Sequence, residues 1–137
     1  MQRLKNLVSQ LNLSPLNVTN INKFDIEDMG DIVVMSRTTE IKAIKCNINF
    51  IFKKDSQLVY LSCEVDSFMR DSYSRLNSVN MLAYDTEIKC YFELDENDKP
   101  RTLVMSSAIF DINSNITNLK LTLAIAAIPM VLKTFFK

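Results

Sequence analysis

Hydrophobic and polar positions along this chain change period several times, and each change predicts an element. Leu4, Leu7, Val8 and Leu11 are spaced by three, one and three residues, the apolar stripe of a short amphipathic helix. Pro15 is expected to end it. From Asn17 to Gly30 the pattern breaks down, with Asp25, Glu27 and Asp28 following Lys23 and no further base. This predicts an irregular connection with room for a short edge element, closed by the single glycine, Gly30.

A two-residue period then takes over. Ile32 to Arg37 is apolar and β-branched enough for a first strand. In the second, Ile44, Cys46, Ile48, Phe50 and Phe52 alternate with Lys45, Asn47, Asn49, Ile51 and Lys53. Lys53 to Ser56 makes a polar turn, and Val59, Leu61, Cys63 and Val65 alternate with Tyr60, Ser62 and Glu64. Three strands with one buried face each, joined by short turns, predict an antiparallel meander.

After Asp66 and Ser67, both good N-caps, the spacing of Met69, Tyr73, Leu76, Asn80 and Ala83 is helical. Ile88, Cys90, Phe92 and Leu94 restore the strand period, 95–100 connects, and Leu103 to Phe110 reads as a fifth strand. Asn113, Ser114 or Asn115 is expected to cap a last helix whose apolar face holds Ile116, Leu119, Leu123, Ala126, Ala127 and Met130. Pro129 inside it predicts a kink near Ile125 or a stop. The expected fold is a single α+β domain over 1–137, an antiparallel five-stranded sheet with helices on one face, in the order α-β-β-β-α-β-β-α.

Composition narrows the chemistry. Sixteen basic and sixteen acidic side chains cancel, so no net field draws the chain to nucleic acid. One glycine rules out a glycine-rich phosphate loop, and the absence of histidine removes histidine-based triads and the commonest zinc ligand. Cys46, Cys63 and Cys90 are far apart and lie in alternating apolar runs, as buried reduced thiols of a cytoplasmic protein do. Leu121 to Leu132 is apolar apart from Thr122, but Lys120 and Lys133 bracket it short of the roughly 20 residues a membrane span needs. A buried core helix is expected there, with no membrane span, no metal and no cofactor.

The run Leu76-Asn77-Ser78-Val79-Asn80 matches the Leu-Asn-x-aromatic-Asn of the YbjN family, supported by the hairpin entered through Ile88-Lys89-Cys90-Tyr91-Phe92-Glu93-Leu94-Asp95 and by the apolar last helix. On these residues the chain from about Gly30 to Phe136 resembles that family, whose members share the fold of type III secretion chaperones. The resemblance implies a small bacterial cytoplasmic protein that serves as a regulator or stress-related factor without catalytic activity. Val79 stands where the family carries an aromatic ring, and the family's glycine in the second hairpin turn is missing.

Two residue sets are candidates for binding a partner. Asn77 and Asn80 lie one helical turn apart, with amides able to grip a partner's backbone or to tie the helix to a neighbouring strand. Tyr60, Glu64, Tyr91 and Glu93 point away from the apolar positions of their strands and predict an amphipathic sheet face. The methionines, Met69, Met81, Met105 and Met130 among them, read as core filler or as an adaptable surface. The functional expectation is a non-enzymatic module that holds a protein partner or client, or a second copy of itself as a homodimer. The alternatives are a secretion-type chaperone wrapping an unfolded client and, more weakly, an enzyme built on Asp85 with Glu87 or Glu93 with Asp95.

Overall fold

The structure, a computed structural model, describes residues 2–19, 23–66, 72–83 and 86–136. Its described elements are α1 (Gln2–Ser9), a 3-10 turn (Ser14–Leu16), β1 (Asp25–Asp28), β2 (Ile32–Ile41), β3 (Ile44–Lys53) and β4 (Leu58–Val65), followed by α2 (Ser72–Leu82), β5 (Ile88–Leu94), β6 (Pro100–Ser107), β7 (Phe110–Asp111) and α3 (Thr117–Phe135). The fold is α+β around one antiparallel sheet, ordered β1-β2-β3-β4-β6-β5, with β7 pairing the remaining half of β4.

The sheet has seven strands among the described residues, not five, and both additions lack an alternating signal. β1 is Asp-Ile-Glu-Asp, with only Ile26 half-buried, so its backbone pairing with β2 organises it rather than an apolar face. Three carboxylates on so short an edge also discourage pairing with another chain. β7 arises because the expected fifth strand breaks. Ser62 lies opposite Ser106 and Val59 opposite Phe110, so three residues, 107–109, face the two residues Tyr60 and Leu61. The buried Ser107 hydroxyl repairs the break by accepting the Leu61 N–H at 2.9 Å and donating to the Ala108 carbonyl at 2.8 Å.

Register sets the buried face. Met35, Phe50 and Leu61 are cross-strand neighbours, as are Ile48, Cys63, Met105 and Cys90 in the next row, and all are buried. They share one core with Leu4, Leu7 and Val8 of α1, Leu16, Val79 of α2, and Leu121, Ile125, Ile128, Val131, Leu132 and Phe135 of α3. The helices therefore lie on the face that carries these residues. Val79, a small side chain where the resemblance expects a ring, is 1% exposed and fills its place in that core.

Several boundaries differ from the sequence expectation. α1 ends at Ser9, and Pro15 sits in the separate 3-10 turn, although Leu11 is buried as its stripe predicts. None of Asn113, Ser114 and Asn115 caps α3. Ile116 holds that position without a side-chain cap, while Thr117 donates its hydroxyl to the Asp111 carbonyl. α3 runs through Pro129 to Phe135 without stopping. An interior proline costs roughly 3 kcal/mol, whereas each large apolar side chain buried is worth about 1.5–3 kcal/mol, and α3 buries six. The Phe135 carbonyl at its end accepts the Arg75 guanidinium of α2 at 2.8 Å. Of the earlier candidates, Ser67, Met69 and Asp85 lie outside the described residues.

Candidate partner-binding face

On the sheet face opposite the helices, register brings the four predicted residues of β4 and β5 together. Glu64 lies opposite Val104 on β6, and Val104 lies opposite Tyr91, with Glu93 and Tyr60 two and four residues along their strands. Val104 is only 1% exposed, yet it stands apart from the helix-side core. Apolar surface is thus sealed on this face as well, at the centre of a polar and aromatic patch. Tyr91 is half-exposed, Tyr60 and Glu64 are partly buried, and Glu93 is exposed. The Lys53 ammonium sits 6.0 Å from the Tyr60 ring centroid.

Three carboxylates crowd together in the patch, with Lys53 and Arg101 as neighbouring cations. Burial pushes the Glu64 carboxyl above its ordinary value, and the charges of Glu93 and Asp66 push it further, against a smaller opposing pull from Arg101. Burial, then Glu93, Tyr60 and Glu64 push the Tyr91 phenol up in the same way. Tyr91 therefore lies within electrostatic reach of the other three predicted residues. Sequence reading missed Asp66, which it assigned to a helix cap. Asp66 instead accepts the buried Thr102 hydroxyl at 2.9 Å and sits beside Glu64 electrostatically.

The two asparagines separate in role. Asn80 donates to the Cys90 carbonyl at 2.9 Å and accepts the Cys90 N–H at 2.8 Å, replacing a neighbouring strand at the sheet edge. Its amide is occupied structurally. Asn77 is exposed one turn away and does not share that contact. The methionines divide too, with Met105 in the core and Met81 and Met130 exposed.

Two of the carboxylates considered for catalysis have partners. Glu87 is bound to Lys120 at 2.7 Å, and Asp95 accepts the backbone N–H groups of Asn97 and Lys99 at 2.8 and 3.0 Å. Those bonds, that of Lys99 foremost, hold Asp95 below the usual carboxylate value. A cleft of about 520 Å³ beside β5 is lined by Asn80, Glu87, Lys89, Tyr91 and Ser106 among others. Among the described residues no cluster of histidine, cysteine or acidic side chains is arranged to hold a metal. α3, at 19 residues, is long and apolar enough to cross a bilayer by length and composition, a test that a core helix also passes. No protein-family model, curated protein or solved structure matches the chain.

Proposed function

We propose that the chain is a non-enzymatic protein-binding module whose helix-free sheet face docks a cationic, extended polypeptide segment. The observation that carries this reading is the crowding of Glu64, Glu93 and Asp66 around two tyrosines and the sealed Val104. A half-buried carboxylate held among like charges is relieved when a Lys or Arg side chain enters, and tyrosine faces offer that cation a second attraction. Flat aromatic and acidic rows along neighbouring strands suit an extended segment rather than a small molecule. The reading keeps the adaptor role that the YbjN resemblance implies, as a cytoplasmic bacterial regulator. It leaves the carboxylate-enzyme alternative with less to stand on, since Glu87 and Asp95 are already engaged.

The test is a titration of isotopically labelled protein with a lysine-rich peptide of about twelve residues and with its glutamate-substituted counterpart. Amide shifts confined to β4, β5 and β6 for the basic peptide alone are expected. Replacing Glu64 and Glu93 by glutamine should weaken that binding about tenfold, with the residual affinity falling as salt rises. Shifts elsewhere, or equal response to both peptides, would overturn the proposal.

A further inference from the structure

α3 carries a second apolar face that the core does not use. Its core side holds Leu121, Ile125, Ile128 and Leu132, while Ile116, Leu119, Leu123 and Met130 on the outer side are 55%, 59%, 44% and 38% exposed. With the exposed Ala126 they run 116, 119, 123, 126, 130, alternating steps of three and four, and the next position in the series is the exposed Lys133. Alternating three and four is the spacing that keeps one seam of a helix facing a partner helix. No acidic side chain lies on this helix.

We propose that this seam is the interface of a homodimer in which α3 packs antiparallel against α3 of a second copy. The sequence of the seam is complementary to its own reverse. About a two-fold axis near Ala124 and Ile125, Leu123 of one copy faces Ala126 of the other, Leu119 faces Met130, and Ile116 faces Lys133. Large therefore meets small at the centre, where the backbones must approach closest, and a flexible methionine fills the space beside Leu119.

The surroundings fit the same occupant. On one flank Asn118 donates to Gln10 of α1 at 2.8 Å, and on the other Ser74, Arg75 and Ser78 of α2 border a shallow groove with Thr134. An apolar centre with a polar rim is the anatomy of a protein interface. A bilayer fits less well, because inserting α3 across it would strip the nine buried residues of this helix from their packing. The seam is on the opposite side of the molecule from the Tyr60 and Tyr91 face, so a dimer formed this way displays two such faces outward.

Sedimentation of the full chain over a range of concentrations tests the proposal. A dimer is expected, and Leu123→Lys, an exposed change, should raise its dissociation constant at least about tenfold while the circular dichroism spectrum stays unchanged. Register is read by mixing chains carrying Leu123→Cys with chains carrying Ala126→Cys under mild oxidation, because Cys46, Cys63 and Cys90 are buried. Disulfide-linked dimers should form faster in the mixture than in either variant alone. A chain that stays monomeric, a dimer indifferent to Leu123→Lys, or faster cross-linking of Leu123→Cys with itself would overturn it. So would a monomer that binds anionic phospholipid vesicles through this helix.

Discussion

The side-chain amide of Asn80 and the backbone of Cys90 exchange two hydrogen bonds, 2.9 and 2.8 Å, so that α2 closes the free edge of β5 with a single residue. Two predictions separate this role from a surface role. Asn80→Ala leaves an edge N–H and C=O without their partner and should cost about 1–3 kcal/mol in urea denaturation. Asn77→Ala, at an exposed site, should change stability by less than about 0.5 kcal/mol. Equal losses from the two would reassign the pair.

Ser107 performs a comparable repair inside the sheet. Ser107→Ala leaves the buried Leu61 N–H without the hydroxyl it meets at 2.9 Å. The expected loss is about 1–3 kcal/mol, with faster hydrogen exchange at the Leu61 amide. Ser106→Ala, a neighbour whose hydroxyl donates a long bond to the Ser107 carbonyl at 3.2 Å, should cost less.

The β2–β3 hairpin turns on Lys42 and Ala43, with φ of 54° and 64°, between the paired Ile41 and Ile44. Both are left-handed without glycine, in a turn geometry that favours Asn-Gly. The double change Lys42→Asn and Ala43→Gly should therefore stabilise the protein by about 1 kcal/mol. A loss of stability on urea denaturation would show that Lys42 or Ala43 makes a compensating contact.

Glu64 holds its proton more tightly when folded than when unfolded, chiefly through burial. Its contribution to stability is thus fully present below the ordinary glutamate value of 4.5 and is lost as pH rises through the folded value. Glu64→Gln removes that loss, so the variant should be more stable than wild type at pH 7 and equal to it near pH 4. Partial exposure limits the gain to less than about 1 kcal/mol. A variant less stable at pH 7 contradicts the crowding of Glu64 by Glu93 and Asp66.

The three thiols should be silent in the folded protein. Burial pushes Cys90 up to about 12, and Cys63, which hydrogen-bonds Cys46, is raised well above the usual thiol value. That bond lowers Cys46, but its side chain is buried. An aromatic disulfide reagent at pH 8 should label none of the three within minutes and all three in denaturant. Rapid labelling of one thiol in the native state would mean that a core strand opens locally.

Much of the fold was legible because burial on one face writes itself as period two. Ile44 to Lys53 and Ile88 to Leu94 were read with their bounds, and the outward positions Tyr60, Glu64, Tyr91 and Glu93 do share one face. What was illegible follows from the same physics. β1 is stabilised by backbone pairing and buries almost nothing, so Asp-Ile-Glu-Asp carries no signal. The break before β7 depends on how one strand meets β4, a contact between residues about fifty apart in the chain.

The sequence by itself determined the class of fold, the faces of its strands and the lack of histidine or glycine-loop chemistry, because these rest on local periodicity and composition. Tertiary structure decided the rest. It put Asn80 on Cys90, set Asp66 against the Thr102 hydroxyl, carried α3 through Pro129 and left one side of that helix bare. Each of these depends on which distant residues meet, and on burial energies that outweigh local preference once they do.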